Sequence, residues 1–118
     1  HKRGWERAGY TLPGHPMFAA YLDVLRRTLG PKWEPLRVAR DGCGLPTASN
    51  TVNELAQLYA SLARERDADW IWEAMARHPD LVGCFNRLDS TILKTTGGEV
   101  LAKEGADGLL GLSTRHPD

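Results

Sequence analysis

Apolar residues early in the chain recur at three- and four-residue steps. Phe18, Tyr21, Leu22, Leu25 and Leu29 share one face, which predicts an amphipathic helix. Pro16 suits its first turn, where a missing N–H costs nothing, and Gly30-Pro31 stops it. Val52, Leu55, Leu58, Tyr59 and Leu62 repeat the pattern, and Thr51 with Glu54 three residues on is a capping-box signature. The charged run Arg64-Glu65-Arg66-Asp67 ends this second helix in solvent. Asp69 is placed to cap a third helix, carrying Ile71, Ala74 and Met75 up to Pro79, with Trp70 and Trp72 on opposite sides. Pro79 opens a short helical turn through Val82. Asp89 is placed to cap a further helix over residues 90–94, which Gly97-Gly98 ends.

The pattern changes after Glu99. Val100 and Ala102, then Leu109, Leu110 and Leu112, form two short stretches about a glycine-containing link, which reads as a strand hairpin. Two strands do not make a stable sheet alone, so this hairpin is expected to leave an edge in search of partners. Residues 1–14 read as an extended or looping lead-in, and 31–41 as a loop or one short strand around Leu36-Arg37-Val38. The expected fold class is mainly α with a small β hairpin: one domain over 1–118, helical at about 14–97 and hairpin at about 98–114.

Charge narrows the function. Fifteen basic and fifteen acidic residues cancel, which leaves no electrostatic footprint for nucleic acid or an anionic membrane surface. The two cysteines stand 41 positions apart with no C-x-x-C, so neither a disulfide framework nor a zinc finger is indicated, and a reducing cytoplasmic setting is expected. No run reaches the length of a membrane span. A chain that opens at His1 and closes at Arg115-His116-Pro117-Asp118 without a cap reads as a piece of something longer.

The run Asp41-Gly42-Cys43-Gly44-Leu45-Pro46-Thr47 is poor material for a helix or strand interior and reads as a built turn. Gly42 and Gly44 permit positive φ or a close approach, Pro46 fixes the chain just after, and Cys43 is held in a defined direction. Its thiol is read as a pocket residue, a metal ligand, a small packed residue or a nucleophile. A nucleophilic thiol wants a fixed histidine partner, and His15 and His78 each precede a proline at a helix start, as structural or capping residues do.

Several separate motifs stand in order: Gly4-Trp5, Tyr10, His15-Pro16, the Cys43 turn, Ala74-Met75-x-x-His78-Pro79-x-Leu81-Val82-Gly83, Arg87-Leu88-Asp89-Ser90-Thr91, and Leu101-Ala102-Lys103-Glu104-Gly105-Ala106-Asp107-Gly108. Together they resemble the bacterial asparaginase II family, the thermolabile asparaginases related in fold to serine β-lactamases. The resemblance implies the helical portion of a β-lactamase-like α/β hydrolase. It also implies hydrolysis of L-asparagine to L-aspartate and ammonia through a serine acyl-enzyme in the complete protein. The family's Ser-x-x-Lys nucleophile and base are expected upstream of His1, because no serine here is followed three positions later by lysine. Thr91-x-x-Lys94 imitates that spacing by accident.

On this resemblance Lys103 and Asp89 are the catalytic candidates, with Cys43, Arg87 and Gly105 about the substrate. Lys103, followed by Gly105 on a strand, would hold an anionic substrate or stabilise developing negative charge, or else is a solvated strand lysine. Arg87 and Asp89 would take the α-carboxylate and α-amino groups of asparagine, or pair with each other, with Asp89 also suited to a helix cap. No cofactor is required. Zinc on Cys43 is the metal reading, but a catalytic site needs three protein ligands, Cys84 is an unassigned second thiol, and Pro46, three after Cys43, cannot ligate. The partners expected are a small amide, and either a second copy of the chain or a complementing chain carrying Ser-x-x-Lys. The rival reading is a non-catalytic helical accessory module that retains the scaffold, and a third is an independent Cys43 hydrolase.

Overall fold

The apolar periodicity after Pro16 folds as helix α1, Pro16–Leu29, in the computed structural model, which describes residues 3–65 and 69–115. His15 is its N-cap: Nδ1 accepts the Met17 N–H at 3.1 Å while Nε2 donates to the Glu6 carbonyl at 2.9 Å. The capping role expected of this histidine is therefore met. Phe18 and Leu25 are the buried members of the stripe. Gly30, at φ 111°, returns its N–H to the Arg26 carbonyl and ends the helix.

The chain divides into two compact units, His1–Glu54 and Leu55–Asp118. In the first, Val38–Arg40 (β1) pairs antiparallel with Pro46–Ala48 (β2), Ala39 opposite Thr47. Residues 31–41 hold the one short strand that was one of their two readings; the correction is its partner, since Pro46 and Thr47 were read as part of a turn. Three residues are too few to show alternation, all three of β1 are exposed, and a proline at the head of β2 hides the partner. Helix α2, Val52–Arg64, starts at the expected box: the Glu54 N–H donates to Thr51 Oγ1 at 3.2 Å and the Thr51 N–H to Glu54 Oε2 at 2.7 Å. Trp33 Nε1 adds a 2.6 Å bond to Oε1 of the same carboxylate. These donors, the Thr51 N–H first, hold the Glu54 carboxyl below its usual range. No residue of α2 is fully buried, and Val52 is exposed rather than packed. The helix ends at exposed Arg64 and Glu65, while Arg66 and Asp67 lie outside the described residues.

The second unit carries α3 (Asp69–Arg77), α4 (Pro79–Gly83), α5 (Leu88–Thr95), β3 (Val100–Glu104) and β4 (Leu110–Thr114). Asp69 is the first residue of α3 and its carboxylate pairs with Arg115, whose guanidinium also stacks over the Trp72 ring. The two tryptophans face oppositely, as expected: Trp72 is buried and Trp70 is 70% exposed. His78 occupies the N-cap position of α4, the helix start expected before Pro79, but makes no side-chain capping bond. A second correction falls on Asp89. It is the second residue of α5, not its cap, and Arg87 stands at the N-cap.

Trp72, Leu93 and Leu101 form the core of this unit, with Ala63, Met75 and Val82 against them. Fully burying side chains of this size is worth roughly 1.5–3 kcal/mol each. Trp72 also donates its indole N–H to the Gly98 carbonyl at 2.8 Å. The strands pair antiparallel, Lys103 opposite Gly111, through a 3-10 turn at Ala106–Gly108, so the predicted hairpin is present. The fold is mainly α with two small antiparallel sheets.

Candidate functional site

The Gly105 N–H to Leu109 carbonyl bond and the Arg115 N–H to Glu99 carbonyl bond frame the β3–β4 ladder. Bonded and non-bonded pairs alternate in an antiparallel ladder, so Val100, Ala102 and Glu104 turn their backbone groups away from β4. The Val100 N–H meets Thr96 Oγ1 at 3.3 Å. The Glu104 N–H meets Asp89 Oδ2 at 3.0 Å, and the Glu104 carbonyl accepts Lys103 Nζ at 2.8 Å. At β4 the corresponding outward groups of Leu110, Leu112 and Thr114 meet no partner among the described residues, as the reading of an open edge expected.

Asp89 is the centre of this arrangement. It is wholly buried, its Oδ1 accepts the Ser90 N–H at 2.8 Å, and its Oδ2 also receives Lys103 Nζ at 3.3 Å. Burial alone would push the Asp89 carboxyl up. The N–H groups of Glu104 and Ser90, then the Lys103 ammonium, outweigh that push and hold it below its ordinary value. Room for the carboxylate comes from Gly83, where a Cβ would stand 1.7 Å from Asp89 Oδ1. The following residue, Cys84, takes φ 75°, a region an L side chain enters at a cost.

Lys103 is half exposed, so its ammonium is anchored by the Asp89 carboxylate and the Glu104 carbonyl while remaining open to solvent. The structure thus brings Asp89 and Lys103 together. It does not pair Arg87 with Asp89: Arg87 Nε donates to Glu104 Oε2 at 2.9 Å. Gly105 closes the turn through the Leu109 carbonyl at 2.8 Å, and its φ of −105° demands no glycine. Thr91 and Lys94 are otherwise engaged, Thr91 Oγ1 on the Arg87 carbonyl at 2.8 Å and Lys94 on Asp80, in keeping with an accidental spacing.

Cys43 lies in the first unit, at the tip of the β1–β2 hairpin, with its thiol exposed rather than packed. Asp41 Oδ1 organises the loop by accepting the Cys43 and Leu45 N–H groups, each at 2.9 Å. Of the two glycines only Gly44, at φ 80°, takes the positive φ that both were expected to permit; Gly42 does not. In this loop Asp41 Oδ1 is taken up by two backbone amides, and Pro46 stands three after Cys43. Among the described residues no three His, Cys, Asp or Glu side chains converge. Both thiols are free and exposed, and no described helix is long and apolar enough to cross a membrane.

Two residues of the cluster, Gly83 and Glu104, escape a reading by single residue roles. Gly83 stands in the Leu81-Val82-Gly83 run and Glu104 directly after Lys103, but no local signal says that they converge on one carboxylate. The chain belongs to the L-asparaginase II family, whose family model matches residues 1–118. A separate comparison with curated proteins found no match.

Proposed function

We propose that this chain supplies the helical part and the lysine-bearing strand of an amidohydrolase with a β-lactamase-like fold, which converts L-asparagine and water to L-aspartate and ammonia. Family membership supports an L-asparaginase-like activity. The observation that carries the site is the Lys103 ammonium, pinned on one side by Asp89 and the Glu104 carbonyl and open on the other. A fixed positive charge of this kind suits the substrate carboxylate and the negative charge that develops on the amide oxygen.

In this reading a serine hydroxyl outside the 118 residues attacks the amide carbon, with its Ser-x-x-Lys lysine taking the proton. The C–N bond breaks, ammonia leaves with a proton, and water then cleaves the ester. Lys103 holds its place beside the reacting group through the Asp89 carboxylate, 3.3 Å from its Nζ. Two free, exposed thiols suit a cytoplasmic setting.

Ammonia release from asparagine, assayed with the 118-residue chain and with a longer chain carrying Ser-x-x-Lys, tests the proposal. Activity is expected in the longer form, and Lys103→Ala there should lower kcat/KM by about 100-fold, the usual scale for one charge-stabilising donor. Turnover unaffected by Lys103→Ala would remove the lysine from the site. One observation favours the accessory-module reading instead: Asp89 and Lys103 also satisfy the outward backbone groups of Glu104, which a structural role alone would explain. Inactivity of both forms would support that module. Activity of the short chain that disappears in Cys43→Ala would support the thiol hydrolase.

A further inference from the structure

Glu104 meets three partners in three ways. Its N–H holds Asp89 at 3.0 Å, its carbonyl holds Lys103 at 2.8 Å, and its carboxylate holds Arg87 at 2.9 Å. Arg87 is the residue from which α5 departs, and Asp89 follows two positions later. The ion pair therefore ties the start of α5 to the end of β3, across the gap that the Asp89–Lys103 contact must span. Gly83 closes the far side, since no Cβ there would leave the carboxylate its place. Of the Arg87 and Glu104 side chains, Arg87 is 57% exposed and Glu104 22%, so solvent reaches the clamp but does not replace it.

We propose that Glu104 is a positioning residue for Lys103, with Arg87 as its counter-ion, rather than Arg87 being a substrate ligand. The ion pair fixes the strand end, and the strand end fixes both the Glu104 carbonyl and the amide that orient Lys103 and Asp89. The inference rests on Lys103 being the working group of the proposed site, but its geometry is independent of which amide is cleaved.

Acylation of the folded 118-residue chain by the N-hydroxysuccinimide ester of acetic acid, mapped by peptide mass spectrometry, reads how firmly the Lys103 amine is held. Exposed Lys32 serves as the internal reference. Glu104→Gln removes a negative charge and Arg87→Ala a positive one, so their direct electrostatic effects on Lys103 have opposite signs. Loss of the clamp has one sign. Both variants are expected to raise Lys103 labelling relative to Lys32 by about two- to fivefold, the range of a partly exposed ion pair. The double variant should add nothing to either, as a shared contact requires, and Arg87→Lys should stay near the unmodified rate.

Opposite shifts in the two single variants would reduce the pair to a through-space charge effect and overturn the proposal. So would unchanged labelling in variants whose Leu93 and Leu101 amides keep their exchange protection. The labelling needs no substrate. Failure to hydrolyse asparagine therefore leaves this result standing, and failure of the clamp leaves the turnover test untouched.

Discussion

The Cys43 hairpin and the Asp89 cluster solve the placing of a reactive side chain in different ways. In the hairpin one carboxylate, Asp41, organises its own neighbours, and every bond it makes is within six residues. In the cluster, the contacts of Asp89 join α4, α5 and β3 across six to fifteen residues, and the carboxylate is fully out of water. A local loop can be altered piecemeal with small cost. A buried charge served by several elements fails as a unit, because removing one partner leaves the others desolvated and unsatisfied.

Glycine substitution sharpens that contrast most. Gly83→Ala drives a methyl into Asp89 Oδ1, and a loss of about 3 kcal/mol or more is expected from overpacking together with displacement of a buried charge. Gly42→Ala, with nothing within 4 Å of its Cβ, should stay within about 0.5 kcal/mol. Urea unfolding followed by circular dichroism checks both, and equal losses would break the comparison.

Asp89→Asn keeps the size but loses the charge and gives an N–H₂ to a site that needs acceptors. A loss of about 2–3 kcal/mol is expected, read as faster exchange of the Leu93 and Leu101 amides. The acid response follows with a defined sign. The folded Asp89 carboxyl lies below its unfolded value, so its contribution is complete above the ordinary carboxylate range and is lost as pH falls through the lower folded value. Amide protection in the second unit should therefore persist to below about pH 4 and then decline. Asp89→Asn should flatten that decline, and an unchanged acid profile in the variant would assign it to other groups.

The hairpin sets the small end of the scale. Asp41→Ala should cost about 1 kcal/mol, with faster exchange limited to Cys43, Leu45 and their neighbours. Cys43→Ser, at an exposed thiol, should change stability by less than about 0.5 kcal/mol in the same measurement.

The helices and the last hairpin were legible because their signals are local. Pro16 with the leucine stripe, the Thr51–Glu54 box and the glycine-rich link after Glu104 each act within a few residues. The first hairpin was half hidden, since exposed three-residue strands carry no alternation. Asp89 and Lys103 were singled out separately, and the structure brings them into contact, but the role given to Asp89 as a cap and to Arg87 as its companion did not hold. Capping is a local preference. The bond from Glu104 to Asp89 spans fifteen residues, and the demand that Gly83 be bare exists only once α4 and α5 pack. Nothing in a periodicity or a spacing encodes either.

Helix α3 places two indoles two positions apart in opposite surroundings, one shielded and hydrogen-bonded to the Gly98 carbonyl, the other open to water. The protein consequently contains a matched pair of fluorophores on a single rigid segment. With Trp5 and Trp33 replaced by Phe, iodide should quench the Trp70 emission and spare that of Trp72, so the fraction of light that survives the quencher gives a running optical measure of whether the strand hairpin is still seated on its helix.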